Sequence, residues 1–342
     1  MTQHPTRRAP HGRMRHGAIV WSWRNAVFGL LISLGGAVTI ALGSTATGLA
    51  LLLGSLPAAS IGLLATRHAR RALVVVGVLF GAFMMLGGLL AQSWLTAVLG
   101  MFGLAFGACW LGARRPLGQL GIALCVPIAG VGLSYSDLAS AVRTGLLLAG
   151  GSVIAYLWSL ALPEYPRPLR SPRALMSADQ ARDYGVRLGL AGAVAAGVGF
   201  ALGTEHVGWI AGATLFVMRP SREMQRLRSV GRAASVLVGA SVAAWTLSLH
   251  PGHLAIAVVA ASALVAAAAL HGSRWYVIPA FSTFLVLWVL LYDNDTTAGI
   301  EHRFAERTLD TLCGLAIAFV FGVALPTLSE RSARRRRVSS AP

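Results

Sequence analysis

The sequence predicts an all-helical membrane protein of about twelve transmembrane helices, with both termini in the cytoplasm. Composition, the length of the apolar blocks and the placement of arginine carry this reading. The chain of 342 residues is 56% hydrophobic and 12% charged, about half the charged fraction of a soluble domain, and its mean hydropathy is +0.67. The apolar residues come in charge-free blocks of roughly 17 to 25, the length that crosses a bilayer core. A soluble fold would interrupt them with polar residues at strand or helix period.

In order, the predicted spans are 24–43, 46–65, 72–91, 94–112, 118–134, 139–162, 186–203, 206–220, 231–249, 254–271, 275–292 and 307–326. The first follows Arg7, Arg8, Arg13, Arg15 and Arg24. It is too long for the apolar region of a signal peptide and reads as a retained helix. Spans eight and ten are the shortest or most alanine-rich.

The links test the count. Even-numbered links carry Arg67, Arg70 and Arg71; Arg114 and Arg115; Arg167, Arg170, Arg173 and Arg182; Arg219, Arg222, Arg226 and Arg228; and Arg274. Odd-numbered links carry instead Asp137, Glu205, Asp293, Asp295, Glu301 and Glu306, with Arg303 the exception. The excess of arginine on cytoplasmic links then places both termini in the cytoplasm, and an odd number of spans would break the alternation.

The chain also repeats itself. The polar stretch 163–185, beginning Pro163-Glu164-Tyr165-Pro166-Arg167-Pro168, is a predicted cytoplasmic linker between membrane halves at 24–162 and 186–326. Basic cytoplasmic tails lie at 1–23 and 327–342. At an offset of about 160 to 164, Pro57 falls on Pro220, Arg70 on Arg232, Gly77 on Gly239, Arg114 on Arg274, Arg143 on Arg307 and Gly150 on Gly314. Matches in order at near-constant offset indicate a duplication. Six spans per half make the repeats parallel, related by an axis along the membrane normal, with a pathway expected between them.

Several classes are excluded. The net charge is +17, yet every one of the 29 basic residues is Arg and there is no Lys. Without Lys there is no P-loop and no Schiff base. The arginines sit in links and tails, and no basic stripe interleaved with aromatics marks a nucleic-acid groove. The tail Arg334-Arg335-Arg336-Arg337 suits an anionic lipid surface. Cys109, Cys125 and Cys313 lie in apolar blocks and match no disulfide or zinc spacing. His250-Pro251-Gly252-His253 has no Cys or carboxylate beside it, so no metal is expected. No nucleophile–base or zincin motif is present, and neither an enzyme nor a cofactor is expected.

The candidate binding residues are intramembrane or symmetric. An uncompensated charge in the bilayer costs several kcal/mol, which singles out Arg143 and Arg307. Asp310 follows Arg307 by one helical turn and can pair with it. These residues read either as a structural ion pair or as an anion site with a protonatable Asp. Arg70 and Arg232 open spans three and nine, as snorkelling anchors or as guanidiniums that attract a carboxylate at the inner mouth. In Thr204-Glu205-His206-Val207-Gly208-Trp209, His206 can titrate near neutrality. Trp209 can stack on an aromatic substrate or act as an interfacial anchor. Span eight ends at Met218-Arg219-Pro220-Ser221 and can be a broken helix beside the pathway. The pairs Gly77/Gly81, Gly103/Gly107 and Gly208/Gly212 read as close helix contacts.

The second half carries a resemblance. Arg187, Gly208-Trp209, Val217-Met218-Arg219-Pro220-Ser221, Gly231-Arg232 through Gly239, and Arg307-Thr308-Leu309-Asp310-Thr311-Leu312-Cys313-Gly314 ending at Pro326 resemble the fusaric acid resistance protein-like family. That family comprises aromatic acid exporters related to plant malate transporters. The resemblance is best over 182–326, and the first half joins only through the repeat. It implies a transporter or channel for organic anions, aromatic carboxylates first, with Trp209, Arg219, Arg232, Arg307 and Asp310 in recurring segments, while the all-Arg, Ala- and Gly-rich usage points to a bacterial plasma membrane. Many relatives carry a large cytoplasmic domain where this chain has a linker of about 23 residues, and the first half has Leu49 and Pro57-Ala58-Ala59 at the matching places.

The expected function is gradient-driven export of organic anions through an arginine-lined inner vestibule of Arg70, Arg219, Arg228 and Arg232. Arg307 and Asp310 lie on the path. A passive anion channel and a non-transporting envelope scaffold are the alternatives. The expected partners are membrane lipids and a small organic anion, with a homo-oligomer allowed.

Overall fold

The computed structural model describes residues 19–115, 118–119, 121–135, 137–166, 175–204, 206–273, 277–291 and 297–325. Outside them lie Arg7, Arg8, Arg13 and Arg15, the tail Arg334 to Arg337, the linker segment 167–174, and Glu205, Arg274, Asp293 and Asp295. The described residues form helices and no strands. In order these are α1 (Trp23–Ala41), α2 (Thr45–Ile61), α3 (Arg67–Leu90), α4 (Trp94–Gly112) and α5 (Val126–Gly132, entered through a π-helical turn Gly121–Cys125). Then come α6 (Leu138–Leu160), α7 (Ala178–Leu202), α8 (Gly208–Val217), α9 (Arg222–Ser248), α10 (His253–Ala269), α11 (Val277–Leu291) and α12 (Thr297–Phe319, continued by a π-helical turn Val320–Ala324).

Seven helices, α1, α3, α4, α6, α7, α9 and α12, are long and apolar enough to cross a membrane. The other five are apolar but shorter. Three of the long helices start well before the predicted spans: α7 at Ala178 rather than 186, α9 at Arg222 rather than 231, and α12 at Thr297 rather than 307. Charge set the predicted limits, but charge ends only the bilayer-embedded part of a helix. Helices end where capping and backbone geometry stop them. The start of α7 is a capping box, with the Ser177 and Gln180 side chains bonding reciprocally to backbone N–H groups. The predicted linker 163–185 therefore gives its last part to α7. Asp137 caps α6, accepting from the N–H groups of Ala139 and Ser140, each at 3.0 Å. The Ala139 N–H, the Ser140 hydroxyl and the Ser140 N–H hold its carboxyl below the usual range.

The outward faces are apolar. Leu99 is 63% exposed, Leu146 59% and Val258 58%, a surface that water would penalise and lipid covers at no cost. Trp23, Trp110 and Trp158 are exposed near the arginine-rich ends of α1, α4 and α6, and Trp94 and Trp245 near the opposite ends of α4 and α9. Two levels of exposed tryptophan are the mark of two membrane–water interfaces.

Packing joins the early and late helices pairwise. Within the first six helices α1 packs on α2, α2 on α6, and α3 on α5 and α6. Within the last six α7 packs on α8, α8 on α12, and α9 on α11 and α12. Between the two sets α1 lies on α10 and α4 on α7, while α2 lies on α11 and α5 on α8. The α1–α10 pair is antiparallel, since the Ser22 N–H at the start of α1 donates to the Ala269 carbonyl at the end of α10 at 3.0 Å.

Close approach is made by glycine. A Cβ on Gly151 would overlap the Gly54 carbonyl of α2, whereas Gly150 faces open space. In the last helices a Cβ on Gly314 would come within 2.8 Å of the Ile210 carbonyl oxygen of α8. The close contact in α6 is thus made at Gly151 and not at Gly150, the residue that the sequence set against Gly314. Pro57 and Pro220 also part: Pro57 lies inside α2, and Pro220 lies beyond the end of α8. Of the predicted glycine pairs, Gly77/Gly81 and Gly208/Gly212 make close contacts, while Gly103 and Gly107 have open space before them. Gly151→Ala is expected to cost about 1–3 kcal/mol by overpacking and Gly150→Ala to be neutral or mildly stabilising. Thermal unfolding of the two detergent-solubilised variants checks the difference.

Arg70 is fully buried and is not a mouth residue. Its guanidinium donates to the carbonyls of Leu64 at 2.9 Å, Leu162 at 2.7 Å and Pro163 at 2.7 Å, and also to Ser159. It clamps the end of α6 to the α2–α3 link. Tyr165 repeats the tie, its hydroxyl donating to the Leu63 carbonyl at 2.5 Å.

Candidate functional site

The site is built around α8. Nine of its ten residues are buried, all but Phe216. At about 1.5 Å per residue this helix cannot cross a bilayer core alone. The helix itself packs against α5, α7, α9 and α12, the protein surroundings in which a broken helix is tolerated at membrane depth.

At the start of α8, His206 stacks on Trp209 with ring centroids 4.1 Å apart and planes 16° from parallel. The Arg307 guanidinium lies over the same indole, 4.3 Å from its centroid. Trp209 is 3% exposed, so its ring is taken up by these two neighbours and is not left open to stack on a substrate. A cation over a desolvated indole gains about 2 kcal/mol, which helps to hold Arg307 in the interior. Glu306, the residue before Arg307, accepts from the His206 N–H at 3.3 Å and faces His206 Nδ1 at 3.5 Å. The α7–α8 link is thereby tied to α12.

One turn along α12, Asp310 is buried beside Arg307. Arg307 lies within electrostatic reach of Arg232 on α9, of Asp310 and of Glu306. Arg232 is itself buried, its guanidinium 5.4 Å from the Phe216 ring. Arg232 Nε, Arg307 Nε and Asp310 Oδ2 are buried and have no hydrogen-bond partner among the described residues. Buried charged groups with free hydrogen-bonding capacity carry a large desolvation cost unless a ligand or water meets them.

At the other end of α8, Tyr184 donates to the Met218 carbonyl at 2.9 Å, and Gln225 accepts from the Arg219 N–H at 2.6 Å. Gln225 also donates to the Ala318 carbonyl at 3.2 Å. Arg219 is half-buried and donates to the Met218 carbonyl. This knot joins α7, α8, α9 and α12.

The structure brings together Arg307, Asp310, Arg232, His206 and Trp209 of the residues singled out in the sequence. Arg219 stands apart at the far end of α8. Arg143 is exposed on the outward face of α6, and Arg70 is the clamp described above. Sequence reading missed Glu306, Phe216 and Gln225. Glu306 was legible, because it stands at i, i+4 from Asp310 and shares its face. Phe216 and Gln225 carry no sequence signal of their own.

Fold and site together define a multi-pass, all-helical membrane protein whose later helices enclose two arginines and a carboxylate away from lipid. Residues 194–321, rather over a third of the chain, match the model of the fusaric acid resistance protein-like family, which shows the resemblance over that segment. No curated protein and no solved structure matches the chain. His206, Trp209, Arg219, Arg232, Arg307 and Asp310 fall inside the matched segment, and Arg70 and Arg143 outside it.

Proposed function

We propose that this protein is a bacterial plasma-membrane transporter that exports organic anions, aromatic carboxylates foremost, by a gradient-driven mechanism. The observation that carries the reading is the group Arg232, Arg307 and Asp310, buried with unmet hydrogen-bonding atoms inside the matched segment. A guanidinium with a free N–H meets a carboxylate by charge-assisted hydrogen bonds. The family's name supports the substrate class, since fusaric acid is an aromatic carboxylate. Phe216 beside Arg232 offers an apolar ring for such a substrate.

In this reading the chain crosses the membrane twelve times as two parallel six-helix halves joined by the linker, with the arginine-rich end cytoplasmic. The packing supports it. Exchanging the halves turns the α1–α10 contact into the α7–α4 contact and the α2–α11 contact into the α8–α5 contact, as a two-fold axis along the membrane normal would. The binding group itself is asymmetric. Leu146 and Leu147 stand where the second half has Asp310 and Thr311, so one anion site per chain is expected, in the second half.

A carboxylate arriving at Arg307 meets Asp310 as a like charge. Protonation of Asp310 removes that repulsion, so anion affinity is expected to rise as the pH falls. The test is flux of a labelled aromatic carboxylate in proteoliposomes, with and without an imposed pH gradient. Gradient-dependent flux that Asp310→Asn makes indifferent to pH supports the coupled carrier. Flux that follows voltage and ignores pH would point to a channel, and no flux over a panel of such acids would overturn the reading.

A further inference from the structure

We infer that the arginine-rich end of α1 carries a binding groove for one anionic phospholipid, separate from the proposed anion site. A groove of about 240 Å³ is lined by Trp23, Arg24, Val27, Leu63, Leu162 and Pro163. It lies between the start of α1, the end of α2 and the end of α6. Its wall is almost entirely apolar, and its rim carries a cation: both halves of an anionic phospholipid, an acyl chain and a phosphate, are matched.

The groove is preformed. Its floor is backbone held from several sides. The Leu63 N–H donates to Asn25 Oδ1 at 2.8 Å, and the Leu63 carbonyl accepts from the Tyr165 hydroxyl at 2.5 Å. The carbonyls of Leu162 and Pro163 are both taken by Arg70 at 2.7 Å. The polar groups of the floor are thus spent on one another, and what faces the groove is side-chain carbon. Rigid walls spare a ligand the entropy of ordering them.

Arg24 is held at the rim with its guanidinium 4.7 Å from the Tyr165 ring centroid. A cation over a ring face keeps its N–H edge free for an oxyanion. Arg24 is exposed, as are Arg67 and Arg71 at the start of α3, against the single exposed carboxylate of Glu164. The local field is therefore positive. Trp23, 75% exposed, places the rim at the membrane–water level, where a lipid phosphate sits and from which an acyl chain runs along Val27.

The test is native mass spectrometry of the full-length protein extracted from membranes containing phosphatidylcholine and phosphatidylglycerol. Wild-type protein is expected to retain one phosphatidylglycerol in preference to phosphatidylcholine. Arg24→Gln, a change at an exposed position, should weaken retention about fivefold, the worth of one arginine at an anionic lipid surface. Val27→Trp, which fills the acyl slot, should also lose the lipid, and Arg71→Gln should keep it. Unchanged retention in Arg24→Gln, equal loss in Arg71→Gln, or equal retention of phosphatidylcholine would overturn the proposal. The readout needs no transport, so it is independent of the proposed function.

Discussion

Replacing Arg307 by alanine is expected to abolish aromatic carboxylate flux in proteoliposomes, a loss of about ten- to a hundredfold or more, while the protein stays folded. A hydrogen bond to a charged group is worth about 1.5–3 kcal/mol, which converts to that range, and the buried setting leaves no water to substitute. The fold should survive because the guanidinium leaves an Nε without a protein partner and its main protein contact is the Trp209 ring. Losing it also relieves the repulsion from Arg232. Arg307→Lys should restore flux only in part, since an ammonium is a point charge and cannot grip a carboxylate with two parallel N–H groups. Wild-type flux in Arg307→Ala would remove this residue from the pathway and leave Trp209–Arg307 as a packing contact.

The opposite pattern is expected at Arg70. Arg70→Ala should destabilise the protein by about 3–5 kcal/mol, because each buried carbonyl left without a donor costs about 1–3 kcal/mol and four carbonyls lose one. The measured outcome is loss of monodisperse protein on size-exclusion chromatography and a lower unfolding temperature. Arg70→Lys should rescue little, as three donors on one nitrogen cannot reach carbonyls spread over two links. If Arg70→Ala instead folds normally and loses only transport, the clamp is not its role and the mouth reading returns. The two arginines thus make a double dissociation: one variant folded and inactive, the other unstable.

These two residues also show why symmetry in a sequence is a poor guide to roles. The sequence repeat pairs Arg70 with Arg232, but Arg70 is the fourth residue of α3 and Arg232 the eleventh of α9. One meets four carbonyls and the other a phenylalanine ring with an Nε to spare. What separates them is the chain around them. The segment Leu162–Tyr165 folds back onto the α2–α3 link and supplies two of the four carbonyls that meet Arg70. Nothing in the spacing of the arginines records that return.

What the sequence by itself determined is whatever follows from local composition. Apolar blocks of bilayer length and arginine concentrated on alternate links come from the cost of placing polar groups in hydrocarbon, which each segment feels alone. The helical class and the family resemblance over the second half were legible for that reason. So was the placing of Asp310 one turn after Arg307 on the same helix. Tertiary structure alone decided the rest. It added Glu306 to the cluster, set His206 and Arg307 against the Trp209 ring, turned Arg143 outward and put the close contact of α6 at Gly151. Each of these depends on which neighbouring helix a face meets. A one-residue rotation is about 100° on a helix, enough to carry an arginine from a buried site to lipid, and that rotation is set by packing between segments far apart in the chain.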